Sequence, residues 1–196
     1  NSLTNGSFAA LMEFDPQNYD YFKTDCTITY EIKNMFQITV TYKDSKESHV
    51  GLYVYYNGVS YMPVGSYRYN YDQFESIYVR WDANGILGGS NKIEVYTGLK
   101  EDSIDNSNPV IVSDQLENNS EKIFSVRVGG RISSLNDHGY AVILKLKRLK
   151  IWEDAIVNDS NWIKESVKEN TMHPIYWSQN NYNAGNTILD FFNVVQ

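Results

Sequence analysis

From Thr27 onward the chain alternates apolar and polar residues with strict regularity. Ile28, Tyr30 and Ile32 fall on one side, and after a short turn at Lys33-Asn34 the pattern resumes at Phe36, Ile38, Val40 and Tyr42. Successive side chains of an extended strand point to opposite faces, so this alternation predicts half-buried strands. The signal returns over 50–56 and stops at Asn57-Gly58, a dipeptide suited to the positive φ angles of a tight hairpin turn. Residues 59–64 lead out of that turn, and Pro63, with no N–H to offer a neighbour, predicts an edge or a strand end. Further strands are expected over 76–81, 92–96, 110–112, 123–128, 140–152 and 187–195. In the 140–152 stretch, Val142, Leu144, Leu146 and Leu149 interleave with Lys145, Lys147 and Lys150, which predicts one dry face and one solvated cationic face. One short helix is expected over 153–170, with Asp159 or Ser160 as its cap. Short strands separated by Gly and Asn turns predict an all-β fold, a β-sandwich or jelly roll, as a single domain over 1–196.

Charge narrows the partners. The formal net charge is −7, so nucleic acid and anionic membrane surfaces would be repelled. No apolar run reaches the roughly 18 residues of a membrane-spanning helix. Cys26 is the single cysteine, lies inside a strand pattern and reads as a buried thiol. Catalytic patterns are missing: His49, His138 and His173 are scattered in loop-like contexts, and no Gly-x-Ser-x-Gly elbow or His-x-Glu-x-His spacing occurs. A two-carboxylate glycosidase site needs acids facing each other across a cleft; most acids here fall in loops, while Glu31 and Glu94 lie within predicted strands. Gly85 to Gly89 lies between two strands, so it reads as a hairpin and not as a phosphate loop. The expectation is a binding protein and not an enzyme. Its 16 Tyr and 4 Trp suit that role, because each ring packs on one side and hydrogen-bonds on the other.

Several stretches resemble a known family. Asp25 to Ile32, then Phe36 to Tyr42, then Leu52 to Gly58 are similar to galactose-binding-like β-sandwich modules, most of all the carbohydrate-binding modules of families 6 and 35. Gly65 to Phe74 continues the likeness with spaced aromatics, Leu87 to Val95 with a Leu-x-x-Gly-x-Asn-x-Ile-like strand, and Leu189 to Val194 with the closing strand. The likeness covers about 10–97 and 186–195; residues 98–185 depart from it and are expected to form an elaboration that carries the helix.

The resemblance implies non-catalytic, lectin-like carbohydrate binding in loops at one end of the sandwich, and a secreted or surface-displayed protein. Sugar would sit between an aromatic at Tyr19 or Tyr21 and another at Tyr69 or Tyr71, with Asn186 as the polar residue near the last strand. Trp177, Asn181 and Tyr182 join the candidates on composition, since an aromatic and amide cluster in a polar stretch is poor core material. The family also implies a structural calcium, here through Glu13 and Asp15 with Asp190 from the last strand. Solvated surface acids remain the alternative for those three, and a packed strand face remains the alternative for Tyr67, Tyr69 and Tyr71. Two other functions fit the same residues. One is a structural or attachment protein, from a phage, virion or other assembly, whose tyrosine-rich faces bind protein partners or further copies of itself. The other is a jelly-roll glycanase or lyase.

Overall fold

In the computed structural model of the chain, residues 4–14, 26–42, 47–70, 76–98, 108–118, 123–130, 144–152, 155, 176–178, 182–183 and 187–192 are described. The strands among them are β1 (Asn5–Phe14), β2 (Cys26–Ile32), β3 (Phe36–Tyr42), β4 (Glu47–Tyr56), β5 (Ser60–Asn70), β6 (Ser76–Asp82) and β7 (Ile93–Gly98). They continue with β8 (Ile111–Ser113), β9 (Ile123–Gly130), β10 (Leu144–Trp152), β11 (Tyr176–Ser178), β12 (Tyr182–Asn183) and β13 (Thr187–Phe192). Two antiparallel sheets result. The first runs β11-β10-β1-β6-β7-β8, with β12 also on β10; the second runs β13-β9-β2-β3-β4-β5. The fold is an all-β sandwich of the jelly-roll class, as the alternation predicts.

The core lies between the sheets. Ile28, Tyr30, Ile32, Phe36, Ile38, Val40, Val50, Leu52 and Val54 line it from the second sheet, and Phe8, Ala10, Ile77, Val79, Trp81, Ile93 and Val95 from the first. Aromatic rings knit it: Phe8 stacks on Tyr30 at 5.1 Å and meets Phe124 at 5.2 Å, while Phe36 sits edge-on to Trp81 at 5.3 Å. Burial pushes the Tyr30 hydroxyl far above its ordinary range, so it stays neutral.

Several local expectations take a definite form. Asn57 and Gly58 both have positive φ, and the Val59 N–H donates to the Tyr56 carbonyl, closing the turn that this dipeptide predicts. β5 is the outermost strand of its sheet, as Pro63 requires, and β4 skips Val64 in pairing with it: Leu52 faces Gly65 and Tyr53 faces Pro63. Gly85–Gly89 carries a 3-10 turn at Ile86–Gly88, with Ile86 buried. The expected helix over 153–170 lies outside the described residues apart from Ala155, which is buried and in no regular element.

The strands expected over 110–112, 123–128 and 140–152 form β8, β9 and β10, and two of them lie inside the sheets: β9 separates β13 from β2, and β10 separates β11 from β1. One result differs from expectation: β1 has no alternating signature and was not expected as a strand, yet it sits at the centre of the first sheet. The outer face of that sheet is buried too. Ser7, Ala9, Tyr78, Arg80, Glu94, Tyr96 and Trp152 point away from the core and are all under 9 % exposed. A strand stretch buried on both faces carries no wet side, so Phe8-Ala9-Ala10 is continuously apolar instead of alternating. The side chains of Lys145, Lys147 and Lys150, expected to form the solvated face of β10, lie outside the described residues, and Trp152 at the end of the strand is buried.

Candidate functional site

On the outer face of the second sheet, described polar and aromatic side chains line a groove open to solvent. Its rows follow from register. Thr41, His49 and Arg68 align across β3, β4 and β5; Thr39, Gly51 and Ser66 form the next row; Gln37, Tyr53 and Pro63 the next. A groove of about 380 Å³ runs along β4 and β5 over these rows, lined by His49, Gly51, Tyr53, Pro63, Ser66 and Arg68. Gly51 makes the groove. A Cβ there would meet Thr39 Oγ1 at 2.9 Å, a Tyr53 ring carbon at 2.9 Å and the Tyr53 hydroxyl at 3.4 Å. The Tyr53 ring therefore leans back along the sheet over the glycine, half-buried, instead of standing off into solvent.

One end of the groove is stiffened by a polar network. The Tyr61 hydroxyl donates to Glu31 Oε1 at 2.6 Å and accepts from the Asn34 N–H at 2.9 Å. Gln37 Nε2 donates to Glu31 Oε1 at 3.1 Å, and Ser125 Oγ donates to Oε2 at 3.3 Å. Burial, then the hydrogen bond to Glu31, raises the Tyr61 hydroxyl well above its ordinary range, so it remains a neutral donor. Its ring packs edge-on against Tyr55 at 5.1 Å. Glu31 is thus a structural acid at the border of the groove. Glu94 lies on the outer face of the other sheet with the core between them, so these two acids do not form a facing pair.

The residues expected in the site are placed as follows. Tyr69 lies on β5 opposite Ser48, at one side of the sandwich. Trp177 on β11 pairs with Lys150, and Tyr182 on β12 pairs with Leu146, both along β10 at the far end of the first sheet from β8. β5 and β8 lie against each other, so the backbone puts Tyr69 and the Trp177–Tyr182 pair at opposite sides. Tyr19, Tyr21, Tyr71, Asn181 and Asn186 fall outside the described residues. For the expected calcium, Glu13 lies on β1 opposite Lys145 in the first sheet, Asp190 on β13 opposite Ser125 in the second, and Asp15 outside the described residues. Among the described residues no group of three His, Cys, Asp or Glu could hold a metal ion. No helix among them is long and apolar enough to cross a membrane.

Sequence reasoning did not single out His49 and Tyr53, which line this groove. His49 was placed in a loop, but β4 begins at Glu47, so it lies within the strand. A signal was available in the pair Gly51 and Tyr53, two residues apart and so on one face, where a missing side chain next to a ring marks a depression.

Comparison with known proteins adds little to this geometry. No protein-family model matches the chain, the carbohydrate-binding modules it resembles included. No curated protein matches it either. Among solved structures it is similar to the native heptameric SAP-like pentraxin from Limulus polyphemus, at 12% identity and a TM-score of 0.41, over 96% of this chain and 83% of the pentraxin chain.

Proposed function

We propose that this protein binds carbohydrate without transforming it, in the groove on the outer face of β4 and β5, as a secreted or surface-displayed module. The observation that supports this reading is the Tyr53 ring lying along the sheet over Gly51, flanked by His49, Ser66 and Arg68. Sugars offer apolar C–H faces to an aromatic ring and hydroxyls to nearby polar groups, and this groove offers both. Its volume of about 380 Å³ falls within the usual range for small-ligand sites. A few stacking and hydrogen-bond contacts correspond to dissociation constants of about a micromolar to a millimolar.

The test is binding to a broad glycan and polysaccharide array, with calcium and with chelator. Tyr53→Ala is expected to weaken binding about tenfold or more, a loss of about 1.4 kcal/mol, with little change in melting temperature. Gly51→Val is expected to do the same by pushing the ring off the sheet. Binding that survives both variants but disappears in Tyr69→Ala or Tyr71→Ala would move the site to the loop end. An array blank in both conditions would overturn the reading. Equal binding in chelator would remove calcium from it.

A second reading is a protein interface. Tyr56, Val59, Met62 and Tyr67 of the β4–β5 hairpin are all at least 40 % exposed, and they lie along one edge of the sandwich. Concentration-dependent association in sedimentation, lost when Val59 and Met62 become serine, would favour it.

A further inference from the structure

The groove carries the Arg68 guanidinium and, among its described lining side chains, no acid. Arg68 and His49 are direct cross-strand partners on the outer face, in the row next to Gly51. Arg68 is exposed and forms no ion pair or hydrogen bond among the described residues. That contrasts with Arg80 on the opposite face of the sandwich, where the guanidinium is buried and paired with Glu94 at 2.6 Å. An arginine kept beside a histidine is poorly placed for stability, because like charges directly opposite each other across a ladder repel when both are ionised. The chain as a whole carries −7, so a polyanion gains no general attraction from it. At physiological salt, charges further than about 8 Å are largely screened, so Arg68 inside the groove outweighs the distant acids of the chain, while Glu31 at the border is engaged by Tyr61, Gln37 and Ser125.

We infer that the groove selects an anionic sugar, with a carboxylate or sulfate held by the planar donor fork of Arg68 and a hydrogen bond from His49 while the ring stacks on Tyr53. This rests on the groove being the carbohydrate site proposed above and names its ligand class. Arginine suits such a group because two parallel N–H donors match two oxygens of the anion, which a lysine ammonium does not reproduce. Ser66, one row along, is placed to serve a neighbouring hydroxyl.

The experiment titrates the whole chain with oligogalacturonate and with its fully methyl-esterified form, which keeps the backbone and removes the charge. Dextran sulfate against dextran forms the second arm and separates sulfate from carboxylate. At least one acidic polymer is expected to bind about tenfold or more tightly than its neutral counterpart. Arg68→Gln should reduce that binding about ten- to a hundredfold, the usual weight of a charge-assisted hydrogen bond, and Arg68→Lys should restore only part of it. Arg68 is exposed, so an unchanged melting temperature shows that the variants fold. Equal binding of charged and neutral forms, or no effect of Arg68→Gln, would overturn the anion preference. If Tyr53→Ala still abolished binding in that case, the carbohydrate reading itself would stand. Failure of every polymer, charged or neutral, would remove both.

Discussion

Glu94 and Arg80 show how a charged pair survives on a face that the fold has buried. Arg80 Nε donates to Glu94 Oε2 at 2.7 Å, and its Nη2 approaches the same oxygen at 2.6 Å. The Tyr96 hydroxyl donates to Oε2 at 2.7 Å, and Asn91 Nδ2 to Oε1 at 3.0 Å. Burial alone would raise the Glu94 carboxyl, but the donors from Asn91, Tyr96 and Arg80, with the arginine charge, outweigh it and hold the group below its usual range. A carboxyl lowered in the folded state adds stability above its unfolded value, and that stability is lost as pH falls through the folded value. Urea denaturation across the acidic range is therefore expected to show a loss of stability on acidification that Glu94→Gln flattens. Arg80→Ala leaves the carboxylate buried without its counter-charge, and is expected to cost about 3–5 kcal/mol at neutral pH. The double variant Arg80→Met with Glu94→Leu should lose less than Arg80→Ala alone, since no stranded charge remains. A double variant no better than the single one would show that the pair contributes more than charge balance.

At the level of the element, β10 explains a break in its own pattern. Apolar positions are even at Leu144 and Leu146 and odd at Leu149 and Ile151. A regular strand would turn one of these pairs to the wrong face. The ladder with β1 absorbs the change: Met12 faces Leu146 and Leu11 faces Arg148, so Lys147 is the extra residue of a bulge. Phe8, Ala10, Met12 and Phe14 of β1 then each face an apolar residue of β10. Deleting Lys147 is expected to put one half of the strand out of phase and to unfold the protein or lower its melting temperature steeply. A shift of under about 2 °C, worth roughly 1 kcal/mol or less, would show that the bulge is dispensable. β1 depends on small residues in the same way. A Cβ on Gly6 would come within 2.4 Å of the buried Trp81 ring and 2.9 Å of the Trp152 carbonyl.

For the whole molecule, the exposed sheet edge is the main hazard. β5 is an eleven-residue edge strand bearing exposed Met62, Val64 and Tyr67, and long edges of this kind invite pairing with other chains. Pro63 removes one ladder donor, and the extra residue Val64 breaks the regular spacing beside it. Replacing Pro63 with threonine and deleting Val64 is expected to straighten the edge and raise concentration-dependent association, read by sedimentation or light scattering. Unchanged association would mean that the edge is protected by something other than these two residues.

The sequence by itself determined which segments are extended and where several of them turn. Alternation marked β2, β3 and β4, Asn57-Gly58 marked the hairpin, and Pro63 marked an edge, because each reports local backbone sterics that hold wherever the segment ends up. Only the tertiary structure decided the pairing, the second buried face and the groove. Two strands from 98–185 are threaded into the sheets by contacts distant in sequence, which no local period records. Burial of the first sheet's outer face erased the alternation of β1, since a strand without a wet side has no polar positions to display. His49 and Arg68 became neighbours, and the Tyr53 ring came to lie across Gly51, through a cross-strand register and a packing choice that belong to the assembled sheet.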